Sequence, residues 1–284
     1  MVVDMRVRPA IPSFIATGLY QGPGKTDHPS FPRLPSTQAR SIPLMLEEMA
    51  DAGVSYGVVP GRYSLPPFGT VPNEELDQLV SAYPGRLGAF MGLDLRWTTE
   101  RMLAEMAQWL ARPGFVGVAI EPTISLEPSI TRMDDRRLYP IYEECVRRDV
   151  PVSVTLSGVL QAFTRQPYEL SDPVQAYRVA LDFPTLDIHI GHAGYPWVMN
   201  MIGVCMACPN VWLSPDLYLT SLFPGVQDYA TAALNYFPTR TVFGTGYPVK
   251  PFAQMIEAYR AWGWPAEIQE AVLDGNARRL LRIG

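Results

Sequence analysis

Residues 186–192, Leu186-Asp187-Ile188-His189-Ile190-Gly191-His192, form a short apolar run, and residues 210–216, Asn210-Val211-Trp212-Leu213-Ser214-Pro215-Asp216, form a second. Between them lies an apolar stretch at 197–207 of helical length. Runs of four to eight residues suit strands, and a strand, helix and strand in succession make a unit whose strands lie parallel. The same alternation extends in both directions. Candidate strands fall at residues 2–8, 54–60, 87–94, 115–122, 150–155, 186–192, 210–216 and 241–246, each followed by a helical stretch. Leu44, Met45, Met49 and Ala52 recur at helical spacing, as do Met102, Leu103, Met106 and Leu110, so each set makes a face that packs on a sheet. Further helices are expected at 138–148, 174–183, 226–236 and 252–262, and the tail at 266–281 reads as one more, covering the barrel.

Eight such units predict an α/β fold, a single (β/α)8 TIM-type barrel, because an open sheet usually stops at five or six strands. No glycine-rich dinucleotide fingerprint follows the first strand. The chain of 284 residues fits one barrel domain over 1–284, since such barrels take about 250 residues. Two loops are long enough to carry function. Residues 9–42 include Phe14, Tyr20, His28 and Phe31 and read as a lid or dimer-contact excursion, or equally as a surface loop; residues 157–172 follow strand five.

Composition narrows the function. Apolar residues make up 48% of the chain and charged ones 18%, enough for a core and against disorder. A net charge of -5 argues against nucleic acid as a partner, which would call for a basic surface. No run reaches the roughly 18 apolar residues of a membrane span, and no signal peptide opens the chain, so a cytoplasmic protein is expected. The cysteines, Cys145, Cys205 and Cys208, are too few for a disulfide framework. Cys205 and Cys208 have metal-site spacing, but without a second ligand pair they read as core residues of an apolar helix. A homo-oligomer, a dimer, is the expected assembly.

In barrels of this kind the chemistry sits at the C-terminal ends of the strands. Strand one ends Val3-Asp4-Met5-Arg6-Val7-Arg8, where strand alternation puts the charged residues on one face and the apolar ones on the other. Charge inside a barrel must be paired or face a ligand. Asp4 with Arg6 can make an internal pair; Arg6 and Arg8 are substrate-binding candidates for a carboxylate or a developing oxyanion, Arg8 by a bidentate contact, a structural ion pair being the competing reading. Glu121 shares a face with Gly117 and Ala119 and is either a base or the partner of Arg6 or Arg8. His192 suits general acid or base chemistry, against a hydrogen-bonded core role. His189 has the opposite parity on its strand and is expected to face the helices. Asp216 is a further catalytic candidate, and Thr155 and Tyr247 are substrate-binding candidates, each competing with a plain hydrogen-bonding role.

The strand ends resemble those of the amidohydrolase-related family. Members tend to carry Asp-x-His-x-His on strand one, where this chain has Asp4-Met5-Arg6-Val7-Arg8. Gly191-His192-Ala193-Gly194-Tyr195-Pro196 is close to the family's Gly-His-x-Gly-x-Pro, and Phe243-Gly244-Thr245-Gly246-Tyr247-Pro248 to its Phe-Gly-Ser-Asp-x-Pro. The segments 137–143, 149–152 and 275–281 match as well. The resemblance implies a barrel enzyme with a divalent metal, but Arg6, Arg8, Thr155 and Gly246 stand where ligands would be. No metal and no cofactor are therefore expected; Glu121, Asp94 and His192 form the one alternative oxygen-rich set. The family includes decarboxylases and a lactonase that needs no metal. The expectation is a metal-independent hydrolase of a small anionic lactone, ester or amide. The alternatives are a decarboxylase of an aromatic or unsaturated acid and a non-catalytic binding protein.

Overall fold

The computed structural model describes residues 1–21, 34–220 and 222–284. His28 and Phe31 lie outside the described residues. The first strands are β1 (Val2–Asp4) and β2 (Val54–Pro60), followed by a short hairpin of β3 (Arg62–Tyr63) and β4 (Thr70–Val71). Then come β5 (Leu87–Gly92), β6 (Phe115–Ile120), β7 (Val152–Thr155), β8 (Ile188–Gly191) and β9 (Val211–Ser214). The hairpin apart, the strands run parallel in the order β1-β2-β5-β6-β7-β8-β9.

An eighth segment closes the ring. Val242 N–H donates to the Leu213 carbonyl and Met5 N–H to the Phe243 carbonyl, both at 2.9 Å. Bridges pair Leu213 with Thr241 and Val7 with Tyr247. The segment lacks a regular ladder because a side chain intrudes on it. The Asp4 carboxylate accepts the Thr245 N–H at 3.0 Å and the Thr245 hydroxyl at 2.6 Å, where a strand-one carbonyl would otherwise serve. The same carboxylate accepts Arg6 N–H at 2.9 Å, a local turn that ends β1 after Asp4.

Three short helices, α1 (Pro12–Ala16), α2 (Gly18–Gln21) and α3 (Pro35–Ala39), lie in the excursion after β1, and α4 (Ile42–Asp51) leads back to β2. Helices α5 (Asn73–Ala82), α6 (Thr99–Trp109) and α7 (Tyr139–Arg148) cover the next strands, and α8 (Gly158–Thr164) occupies the loop after β7. The outer ring continues with α9 (Val174–Asp182), α10 (Val198–Ala207), α11 (Val226–Asn235) and α12 (Phe252–Arg260). The chain ends in α13 (Ala266–Glu270) and α14 (Asn276–Leu281), joined by a wide helical turn. Among the described residues no helix is long and apolar enough to cross a membrane.

Strand alternation divides the core in two. One cluster, which includes Val59, Met91, Val118, Val154, Ile190 and Leu213, lies between the sheet and the helices. Val3, Val58, Phe90, Ala119, Trp212 and Val242 point inward instead and meet Ala277, Leu280 and Leu281, so α14 plugs the N-terminal end. That plug leaves the opposite end for polar side chains.

Burial pushes the Asp4 carboxyl up to about 6 from 3.8, although its hydrogen bonds to Thr245 and Arg6 pull the other way. A carboxyl with a raised folded pKa stabilises the fold below its unfolded value and loses that contribution as pH rises through 6. Asp4→Asn keeps the shape and removes the titration. Its stability relative to wild type is expected to improve by about 1 kcal/mol between about pH 5 and pH 7, then level off. Urea unfolding of both proteins across that range checks this; a gap that does not change with pH would refute it.

Candidate active site

The C-terminal ends of the strands deliver charged side chains to one place. Arg6 follows β1, Arg62 follows β2, Glu121 follows β6, Thr155 ends β7, His192 follows β8 and Asp216 follows β9. All six are buried. Arg6 is the hub. Its Nη2 donates to Thr155 Oγ1 at 3.0 Å and stands 3.8 Å from Glu121 Oε1, while its Nε lies 3.7 Å from Asp216 Oδ2. Missing side chains make the room. A Cβ on Gly191 would sit 2.6 Å from Arg6 Nη1, and one on Gly244 would strike Asp216 Oδ1.

Glu121 is held on every side. Arg62 Nη2 and Thr155 Oγ1 each donate to its Oε1 at 2.9 Å, and the Ser64 hydroxyl donates to Oε2. Burial alone would raise its pKa, but Arg62, Arg6 and the hydroxyls bring it down to about 2. Asp216 has a similar balance. Burial opposes its charge, yet His192, Arg6 and Ser214 hold it well below the usual carboxylate range. Its Oδ2 accepts His192 N–H at 3.0 Å and stands 3.1 Å from His192 Nδ1.

His192 is neutral near pH 7. Burial, with Arg6 adding to it, lowers its pKa to about 4, and Asp216 only partly offsets them. The Tyr218 ring meets it edge-on at 5.3 Å. His192 and Asp216 both adopt left-handed backbone, with φ of 63° and 53°. Such non-glycine conformations persist where the surroundings over-determine them, as they do in active sites.

Arg8 is tethered through Nη1 to the carbonyls of Gly246 at 3.1 Å and Tyr247 at 3.4 Å. Burial and the neighbouring Arg6 and Arg62 guanidiniums disfavour its charge. Among the described residues several buried N–H groups have no hydrogen-bond partner: Nε of Arg6, Nε of Arg8, and Nε and Nη1 of Arg62. Three guanidiniums, those of Arg6, Arg8 and Arg62, thus gather at the mouth with Glu121 and Asp216, and their hydrogen-bonding capacity is not used up. An anion would meet the idle donors.

Several sequence expectations change. Asp4 does not pair with the Arg6 guanidinium; it holds Thr245, because its own turn bends the chain and sends Arg6 inward. That bend also overturns the two-faced reading of strand one, since Val3 and Met5 lie in the inner cluster while Arg6 too points inside. His189 does not face the helices. It lies inside the barrel, stacked on Phe90 at 5.9 Å with Nδ1 2.9 Å from Ser153 Oγ. The parity argument failed because the strand ends at Gly191 and the left-handed turn at His192 swings that residue into the mouth. Glu121 takes the pairing alternative, chiefly with Arg62 rather than Arg8. The Thr155 hydroxyl bridges Arg6 and Glu121. Tyr247 turns away from the mouth: its hydroxyl is 2.8 Å from Ser36 Oγ and its ring stacks on Phe252 at 4.8 Å. Cys205 and Cys208 are buried free thiols.

Arg62, Ser64 and Ser214 were missed. Arg62 could have been found, as it stands two residues beyond the end of strand two, where the strand-end rule applies. The two serines carry no sequence signal of their own.

The donor set does not fit a divalent cation. Among the described residues no three His, Cys, Asp or Glu side chains converge to hold one. Asp94, the third member of the alternative set, is engaged by Arg96, with Nη2 to Oδ2 at 2.6 Å. Arg6 would repel a cation from the centre of the site.

The fold and its polar mouth define a (β/α)8 barrel protein with a site at the customary end. The amidohydrolase family profile matches residues 8–283, and the chain belongs to that family. It lacks the histidine ligands that the family resemblance implies on strand one. An uncharacterized TIM-barrel protein from Bordetella bronchiseptica is similar, at 33% identity and TM-score 0.88 over 99% of this chain and 98% of the other. A 2,6-dihydroxybenzoate decarboxylase from Rhizobium has 17% identity and TM-score 0.69, with coverage of 99% and 98%. A structure from Pseudomonas putida, provisionally titled a 2-pyrone-4,6-dicarboxylic acid hydrolase, has 20% identity and TM-score 0.61, with coverage of 99% and 96%. No protein of curated function matches the chain.

Gly191→Ala should displace Arg6 and cost about 1–3 kcal/mol, the usual effect of overpacking. Gly203→Ala is the control: nothing lies within 4 Å of its added Cβ on α10, and alanine should stabilise that helix by ~0.5–1 kcal/mol. Chemical denaturation of both variants measures the contrast, and equal effects would dismiss the close approach of Gly191 to Arg6.

Proposed function

We propose that the protein is a metal-independent hydrolase of a small organic anion, a carboxylated lactone, ester or amide. One observation carries this reading: idle, buried guanidinium N–H groups stand at the same strand ends as a neutral imidazole that is backed by an ionised carboxylate. Arg8 and Arg62 hold the substrate carboxylate. His192 removes a proton from water as the water oxygen bonds to the acyl carbon, and Asp216 stabilises the imidazolium that forms. Arg6 faces the negative charge that develops on the acyl oxygen. The acyl bond to the leaving oxygen or nitrogen then breaks, and His192 returns the proton to that atom.

The low basicity of the free site serves this scheme. Arg6 and Arg8 both lower the His192 pKa, so an anionic substrate that offsets their charge makes His192 a better base when it binds. Glu121 titrates too low, and is too fully engaged, to compete for that role. Tyr247 and Thr155 support the site from behind.

Decarboxylation is the second reading, favoured by the fold likeness to a decarboxylase. Against it, arginines beside a departing carboxylate stabilise its charged form and hold it back. A panel of carboxylated lactones, esters, amides and phenolic acids, read by product mass, separates the two: gain of one water supports hydrolysis, loss of carbon dioxide supports the lyase. Retained ligand without turnover would mark a binding protein.

With an active substrate, His192→Ala should lower kcat by about 10²–10⁴-fold with little change in KM, whereas Arg8→Met should act mainly on KM. The acid limb of kcat/KM should fall near 4, where free His192 titrates, and that of kcat at higher pH. Activity needs the neutral ring, so it is lost as pH drops through these values. A limb at the ordinary histidine pKa in both parameters would discard the assignment.

A further inference from the structure

Helix α8 carries a buried amide that the scheme above does not use. Gln161 is fully buried, and among the described residues neither its Nε2 nor its Oε1 has a hydrogen-bond partner. An amide shut away from water without hydrogen bonds incurs the full cost of its lost hydration. Native proteins rarely leave such groups idle unless a ligand or water meets them.

The position of α8 indicates what Gln161 faces. Ser157, the residue that caps the helix, lies four positions before Gln161. The Ser157 hydroxyl donates to the Tyr195 carbonyl at 3.0 Å and is 3.4 Å from the Tyr218 hydroxyl, and Tyr218 is the ring that meets His192. The helix also packs on the 3-10 turn Pro122–Ile124, directly after Glu121. In that turn Thr123 is buried as well, and its hydroxyl has no partner. Among the described residues two uncharged polar side chains thus stand idle on elements that adjoin Glu121 and Tyr218.

We propose that Gln161, with Thr123, forms an uncharged subsite that reads a neutral group able both to donate and to accept, a hydroxyl or a primary amide, on the far end of the bound carboxylate. A carboxamide satisfies Nε2 and Oε1 together, through paired amide hydrogen bonds; a hydroxyl meets either one and leaves the other to water. A second carboxylate fits less well, because it offers Oε1 no proton. The inference rests on the arginines as the carboxylate anchor, and it narrows the substrate class from a small anion to one with a polar neutral substituent.

The test compares binding of benzoate, meta- and para-hydroxybenzoate and the matching carbamoylbenzoates to the whole protein by calorimetry, together with thermal unfolding. Wild type should bind at least one substituted acid about tenfold more tightly than benzoate, as one extra hydrogen bond to a buried polar group allows. Gln161→Met keeps the volume and removes the idle atoms. It should erase that preference, leave benzoate binding unchanged and leave the unliganded protein at least as stable as wild type. A structural glutamine predicts the reverse, so a lower melting temperature for Gln161→Met would overturn the proposal. Binding without preference, or a preference that survives the substitution, would overturn it and leave the arginine anchor standing. No binding of any carboxylate by wild type, with Arg8→Met indistinguishable from it, would remove the anchor itself and the subsite with it.

Discussion

A guanidinium in the middle of a barrel is stable only if the charge around it is arranged first, and the Arg6 side chain sets that condition here. It stands between Glu121 and Asp216 and hydrogen-bonds Thr155. Removing an ion from water costs several kcal/mol, so partners that are themselves held in place must offset the loss. Ser64, Thr155 and Arg62 hold Glu121, and Ser214 and the His192 backbone hold Asp216. Gly191 and Gly244 supply the space, since a methyl group at either would occupy volume the network already fills.

The same network explains local departures from an ideal barrel. Asp4 turns the chain after β1, which aims Arg6 inward, and its grip on Thr245 replaces part of the ladder that would have joined the first and eighth segments. His192 and Asp216 accept left-handed backbone at the ends of their strands. Regular hydrogen bonding is given up at the mouth, while the plugged end beneath it keeps a well-packed apolar interior. Rigidity below and polar geometry above are the division of labour expected of such barrels.

Electrostatics then decides what the mouth can accept. Glu121 and Asp216 are ionised and engaged, His192 is neutral, and buried guanidinium N–H groups are left without hydrogen-bond partners among the described residues. Among the described residues a cation finds no convergent ligands, while an anion finds N–H groups without hydrogen-bond partners. Family membership alone would not have led to that conclusion, because its metal would have reversed the sign of the site. In this chain arginine at positions 6 and 8 makes the change, and Arg62 reinforces it.

The barrel was legible in the sequence because strand and helix periodicity is local: each apolar run or amphipathic face is written in consecutive residues, and eight repeats leave little choice of architecture. The loss of metal ligands was legible too, as a matter of residue type, and so was the gathering of Arg6, Glu121, His192 and Asp216 at strand ends. Direction was not. Whether His189 or His192 enters the mouth depends on where β8 stops and on a left-handed turn, which parity along a strand cannot foresee. Partnership was not legible either, since Glu121 meets Arg62 and Ser64 across nearly 60 positions of chain, and Tyr247 reaches back more than 200 to Ser36. The sequence by itself determined which charges exist and roughly where the strands end; only the closed tertiary structure decided which of them neutralise one another, because burial removes the water that would otherwise have screened every pair alike.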